Sequence, residues 1–276
     1  MTTLTKLSAF SVGLLMLLAA FSPALAIPSL ITAPAMNLAG VNGSAYESLN
    51  WSGYAVTGST DSVTAVAGSW IVPAVTGTSN SYAAFWTGID GFSDSTVEQT
   101  GTISYMNGAT PTYYAWYEFY PSPMYEITSV PIAVGQTISA SVTYIGSNEF
   151  TLVLTDVSTS KSFTTTITDT SAQRTSAEWI VEAPSSNFGI LPLADFKTAY
   201  FGTDYTSVAS TCYATVGGTT GAIGSFGTAV QSITMVTNRG VLKDSISALS
   251  TDGTSFYATW DSSGSSVGRG PGGFGR

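Results

Sequence analysis

One stretch sets the fold class. Across residues 136–144, Ile138, Ala140, Val142 and Tyr144 alternate with Thr137, Ser139, Ser141 and Thr143, the two-residue period of a strand with one dry and one wet face. Similar β-rich segments are expected at 63–72, 81–90, 97–105, 113–120, 150–156, 162–168, 177–182, 197–205, 229–237, 245–249 and 256–260. Turn chemistry separates them at Asn107-Gly108, Gly146-Ser147-Asn148, Gly217-Gly218 and Asp252-Gly253. No amphipathic helix of about twelve residues survives, because Ser, Thr, Gly and β-branched residues interrupt every candidate. The expectation is therefore an all-β domain, an antiparallel sandwich or barrel.

Composition narrows the chemistry. Of the 276 residues 44% are hydrophobic and 9% charged, so the surface must be wetted by hydroxyls and amides rather than by ions. The balance of 8 Lys and Arg against 17 Asp and Glu gives −9 at pH 7, which repels phosphate backbones and anionic membranes and excludes a nucleic-acid partner. There is no histidine, and Cys212 is the single cysteine. A Ser-His-Asp or Cys-His nucleophile, a His-ligated zinc and an internal disulfide are thereby ruled out, and neither a metal nor a cofactor is expected. What remains is carboxyl, amide, hydroxyl and phenol chemistry, and of these only carboxyls titrate between about pH 2 and 6. Few ion pairs and no histidine also weaken the usual routes to acid unfolding, so the composition points toward acid.

The ends differ from the middle. Residues 1–26 carry Lys6, an apolar run from about Ala9 to Phe21, and Ala24-Leu25-Ala26, the pattern of a secretory signal peptide too short to span a bilayer. A secreted, extracellular protein with no membrane association after cleavage follows. Residues 27–49 lack periodicity and are read as a pro-segment, a linker or an ordered edge. The domain proper is placed at 50–260, and the Gly/Ser-rich 261–276 is read as a flexible tail. A monomer is expected.

Strand alternation sorts the acids. In 113–120, Tyr114, Trp116, Glu118 and Tyr120 share one face; in 85–90, Trp86, Gly88 and Asp90 do; in 177–182, Glu178, Ile180 and Glu182 do. If these faces converge they line an acidic groove with aromatic rings. Glu178 and Glu182 lie about 13 Å apart along one strand, too far to act as a pair.

Six strings then occur in a telling order: Asn50-Trp51-Ser52-Gly53-Tyr54-Ala55, Trp70-Ile71-Val72-Pro73, Trp86-Thr87-Gly88-Ile89-Asp90-Gly91, Gln99-Thr100-Gly101, Trp116-Tyr117-Glu118-Phe119-Tyr120-Pro121 and Ser176-Ala177-Glu178-Trp179-Ile180-Val181-Glu182. Over about residues 50 to 260 the chain resembles the glutamic peptidases, the eqolisins. The resemblance implies a secreted acid endopeptidase acting on polypeptides, with no metal. It implies a sandwich of two large curved antiparallel sheets, concanavalin A-like in outline. It places the catalytic dyad on Gln99 and Glu178, with supporting positions at Trp51, Trp86, Asp90, Trp116, Glu118 and Tyr120. Two departures stand out: the spacer from Asp90 to Gln99 is one residue short of the family pattern, and Phe119 stands where a Trp is expected.

The chemistry is coherent on its own terms. In acid, a base must have a carboxyl pKa, and Glu178 supplies one; the amide of Gln99 donates an N–H at any pH to a developing oxyanion. The rival reading is a carbohydrate-active protein, a glycoside hydrolase or lectin, with Glu118 and Glu178 as a carboxylate pair on a ring-lined groove. That reading requires opposed carboxyls with no amide between them.

Overall fold

The computed structural model describes residues 25–26, 30–36 and 39–264. Among them strand dominates, and the only helical pieces are one α-turn at Thr203–Thr206 and a 3₁₀ segment at Ile223–Ala229. Five strands carry the site: β1 (Trp51–Thr57), β2 (Tyr82–Ile89), β3 (Val97–Asn107), β4 (Thr110–Tyr120) and β5 (Ser176–Glu182). They lie side by side in the order β1–β5–β2–β3–β4, every pair antiparallel.

The sheet does not stop there. Beyond β1 it continues through Val230–Val236, Leu242–Ile246, Ser255–Trp260 and Thr198–Gly202 to Val63–Ile71, and then through Thr137–Gly146 and Glu149–Asp156 to Lys161–Thr168. The result is one continuous, nearly closed sheet. Beyond β4 the sheet goes on to Tyr125–Ile127, and across the gap Tyr117 of β4 stacks on Phe163 at 5.7 Å while Phe119 meets Phe150 edge-on at 6.1 Å. Within it, Ala45–Ser48 pairs in parallel with Val230–Val236.

One large core fills the inside of this circuit. Tyr54, Phe85, Phe119 and Trp179 face Trp70, Phe150, Phe196, Phe201 and Phe256 across it, all of them buried. The opposite face of the same five strands is buried as well, through Trp51, Trp86, Val97, Ile103, Trp116 and Ile180. Burial on both faces explains why β2 and β5 read as near-continuous apolar runs, while Thr137–Gly146 keeps clean alternation with one wet side. The wet side is hydroxylated as composition demands, with Thr151–Thr166 at 3.0 Å and Thr155–Ser162 at 2.9 Å paired across strands.

The expected strands are present, with ends moved by one to three residues. The segment expected at 197–205 ends at Gly202, where φ is +95° and the α-turn begins. That expected at 245–249 shifts to Leu242–Ile246. Several strands fall outside the expected segments, among them β1, whose Gly53 and serine break any alternation, the hairpin Tyr213–Val216/Thr219–Ala222, of which only the Gly217-Gly218 turn is legible, and the short Ala39–Asn42, Ala45–Ser48 and Tyr125–Ile127. Among the described residues no helix is long and apolar enough to cross a membrane.

Gly53 is a requirement rather than a gap in the pattern. Its φ is +137°, and a Cβ there would lie 2.0 Å from the carbonyl oxygen of Trp179 on β5. Gly53→Ala should therefore cost about 2–4 kcal/mol in denaturant unfolding, because backbone rather than a movable side chain must give way.

Of the expected leader, only Leu25–Ala26 falls within the described residues, paired with Tyr125 and Glu126. Of the expected tail, residues 261–264 are described and 265–276 are not; Asp261 and Ser262 donate backbone N–H groups to the carbonyl of Lys243.

Candidate active site

The register brings the two dyad candidates to one face. Glu178 on β5 lies opposite Gly88 on β2, Gly88 opposite Gln99 on β3, and Gln99 opposite Glu118 on β4. Directly paired residues share a face, so Glu178, Gln99 and Glu118 project together. Glu178 and Gln99 are two strands apart, about 10 Å between backbones, and only the hydrogens of Gly88 stand between them. A Cβ at Gly88 would meet Gln99 Cβ and the Glu98 carbonyl oxygen, each at 2.9 Å.

Trp51 and Trp86 meet edge-to-face at 4.9 Å, and Trp116 and Tyr120 belong to the same cluster. Glu182, two turns of the pleat from Glu178, accepts the indole N–H of Trp86 at 2.9 Å and fixes that ring. Asp90 departs from the expected face. It sits just past β2 with φ +72°, and its carboxylate takes the backbone N–H groups of Gln173, Arg174 and Thr175 at 2.6–2.7 Å. Asp94 joins it by accepting the hydroxyl of Thr175 at 2.6 Å. Together they brace the turn that leads directly into the strand bearing Glu178.

This face is covered by the chain's own residues 30–36. Ile31 and Ser185 exchange backbone hydrogen bonds at 2.9 and 2.8 Å. The Thr32 hydroxyl accepts from Gln99 Nε2 at 2.9 Å and donates to Glu118 Oε2, which also takes the Thr32 N–H at 3.0 Å. The Ala33 N–H reaches Glu182 Oε1 at 2.9 Å, and the Ala33 carbonyl accepts from Trp51 Nε1 at 2.8 Å and Asn50 Nδ2 at 3.2 Å. Nothing in the apolar, aperiodic sequence of this segment signals such a placement.

Burial dominates the electrostatics. Glu178 is fully buried, and neither of its oxygens has a hydrogen-bond partner among the described residues. Burial holds its pKa well above the carboxylate range, the adjacent Ser176 side chain pulls the other way, and the nearby charges of Asp90, Asp94 and Glu98 add to the rise. Glu118 is pushed up to about 8 by burial, against the pull of its Thr32 hydrogen bonds. Asp90 is raised to about 6 by burial and then by Asp94, with its three N–H donors opposing. Glu98, which sequence reasoning did not single out, is buried on the opposite face of β3 from Gln99, neither of its oxygens has a side-chain partner among the described residues, and burial raises it well above its ordinary value. Cys212 is buried with its thiol pushed up to about 12 by burial, the inert small residue expected. Among the described residues no group of three or more His, Cys, Asp or Glu is arranged to hold a metal ion.

A paired acid and amide on one strand-built face, ringed by tryptophans, is the setting in which the comparisons fall. The model of the Peptidase A4 family matches residues 49–248, spanning all five strands, and the chain belongs to that family, as the six strings implied. It is 28% identical to Aspergillopepsin-2 of Aspergillus niger over 191 residues, 60% of this chain and 66% of that protein. It is 34% identical to Scytalidopepsin B of Scytalidium lignicola over 167 residues, 56% of this chain and 62% of that one. The chain thus spans just under two thirds of each of these curated relatives. Among solved structures, scytalido-glutamic peptidase with a transition state analog inhibitor superposes with a TM-score of 0.65 at 25% identity, over 77% of this chain and 98% of the other. Aspergilloglutamic peptidase from Aspergillus niger gives 0.56 at 25% identity, over 66% and 99%.

Proposed function

We propose that this chain is a secreted endopeptidase that hydrolyses polypeptides in acid with Glu178 and Gln99. The observation that carries the reading is the register, which sets the acid and the amide on one face on either side of a glycine. With residues 30–36 gone and water admitted, Glu178 loses the burial that holds it protonated and ionises in acid. It then takes a proton from water as the water oxygen attacks the scissile carbonyl carbon, and the carbonyl oxygen gains charge and accepts the Gln99 Nε2–H. Glu178 then returns the proton to the leaving nitrogen as the C–N bond breaks, releasing a carboxylic acid and an amine. Trp51, Trp86, Trp116 and Tyr120 wall the groove, Glu118 adjoins the amide, and Asp90 braces the strand of Glu178. The two packed halves of the sheet serve as the layers of the concanavalin A-like sandwich.

Residues 27–49 act in this reading as a pro-segment. Thr32 holds the donor that a scissile carbonyl needs, so residues 30–36 must leave before substrate enters. Thr32→Ala removes the hydroxyl that bridges Gln99 and Glu118, and it should raise the initial rate about tenfold by enlarging the open population. An unchanged progress curve for that variant counts against the pro-segment role.

The carbohydrate reading is not favoured, because Glu118 and Glu178 are three strands apart with the Gln99 amide between them. Haemoglobin clearing at pH 3, beside a β-glucan plate and with Glu178→Gln as control, tests the assignment. Clearing of protein alone, lost in the variant, is the expected result.

A further inference from the structure

The face that carries Gln99 and Glu118 runs on, past Ile103, into a cleft of tyrosines. Tyr82 of β2 and Tyr105 of β3 are directly paired across their strands, and their rings stack at 5.1 Å with 5° between planes. Tyr114 of β4 meets Tyr105 edge-on at 6.0 Å. With Leu191 these rings line a cavity of about 530 Å³. Leu30 lines it too and is only 4% exposed. The cavity is measured with Leu30 in place, so a side chain larger than leucine fits.

Leu30 arrives by way of the covering segment. It stands two residues before Thr32, the residue on Gln99, and Ile31 between them pairs with Ser185 in extended register. In an extended chain residues two apart point the same way, so a peptide seated as this segment is sends one side chain to Gln99 and another into the tyrosine cleft. Among the residues lining the cavity Glu126 is the single charged one, which disfavours an acidic side chain there. Stacked phenol rings offer apolar area with defined edges for another ring or a branched aliphatic group.

We propose that the Tyr82–Tyr105–Tyr114 cleft is a substrate-recognition pocket, taking a bulky apolar side chain two residues before the residue seated at Gln99, where the scissile carbonyl of a substrate takes the place of the Thr32 hydroxyl. This rests on the peptidase reading of the Gln99/Glu178 site.

The test uses the full-length protein at pH 3 and internally quenched peptides that vary this one position. Leu, Phe or Tyr should be preferred over Ala, Lys or Glu by roughly tenfold to a hundredfold in kcat/KM. Tyr114→Ala should erase that preference, bringing kcat/KM for the Leu, Phe and Tyr peptides down to that for the Ala peptide. Leu191→Trp fills the cavity from a partly exposed loop and should turn the preference toward Ala, which covers the case that Tyr114→Ala fails to fold. Wild-type hydrolysis with no preference at this position, a preference for Lys, or a preference that survives both substitutions overturns the pocket and leaves the peptidase reading standing. Absence of any Glu178-dependent cleavage overturns the peptidase reading itself and the pocket with it.

Discussion

Glu178→Gln should lower kcat on a peptide substrate by about four decades without loosening the fold. The size follows from the double duty that the proposed mechanism gives the carboxyl, taking the proton from water and delivering it to the leaving amine, each step of the kind worth about 10²–10⁴. The fold is spared because Glu178 is buried and held neutral, with the Ser176 side chain beside it, and a neutral amide of the same shape can keep that neighbour. Gln99→Ala removes one oxyanion donor, and its expected loss is about 10²–10³. The two groups serve one transition state, so the double variant should fall far short of the product of the single losses. Steady-state rates on purified, folded variants decide the matter. Turnover of Glu178→Gln within tenfold of wild type would remove Glu178 from the chemistry.

The second large effect is on stability, and it runs opposite to the common pattern. Folded carboxyls usually titrate low and are lost in acid; here burial raises Asp90 to about 6 and Glu118 to about 8, and lifts Glu98, Glu178, Glu182 and Asp244 well above their ordinary range. A folded state that holds these protons more tightly than the unfolded chain is favoured while all are bound. That stability is complete below the ordinary carboxyl pKa of about 4 and drains away as pH climbs through 6 and 8. At 1.36 kcal/mol per pKa unit, Glu118 alone contributes on the order of 3–5 kcal/mol, a large share of the roughly 5–15 kcal/mol that holds an ordinary domain together. Lys243, lowered to about 8 by burial, is charged throughout this window and adds little slope below its own pKa. Thermal unfolding of the full chain should therefore give its highest Tm near pH 3–4, with a steep decline between about 4.5 and 8. Glu118→Gln should flatten that decline. A Tm that rises from pH 4 to 7 would contradict the protonated state assigned to these buried acids.

How much of this was legible in the residues depended on whether the signal was local. Tyr114, Trp116, Glu118 and Tyr120 were placed on one face by counting in twos, because β4 is a regular strand and its pleat leaves no freedom. Gln99 and Glu178 were reached through short strings, and the register then set them side by side. Asp90 was assigned to the face of Trp86 by the same counting, but the strand ends at Ile89 and a positive φ turns the next residue onto the 173–175 backbone. Asp94, Glu98 and Thr32 were missed for a shared reason: each acts on residues far away in sequence, as when Thr32 meets Gln99 and Glu118 sixty-seven and eighty-six positions on. No period or composition encodes such a meeting.

On the proposed pro-segment reading, residues 30–36 are joined to β1 by the same chain whose groove they fill. A tethered occupant of this kind competes at an effective concentration in the millimolar range, so a freely diffusing polypeptide must far exceed ordinary abundance to displace it. Severing the connection between Met36 and Trp51 would abolish that advantage at a stroke, since the freed piece then dilutes into the surroundings. One cut would convert a reversible competition into a one-way release.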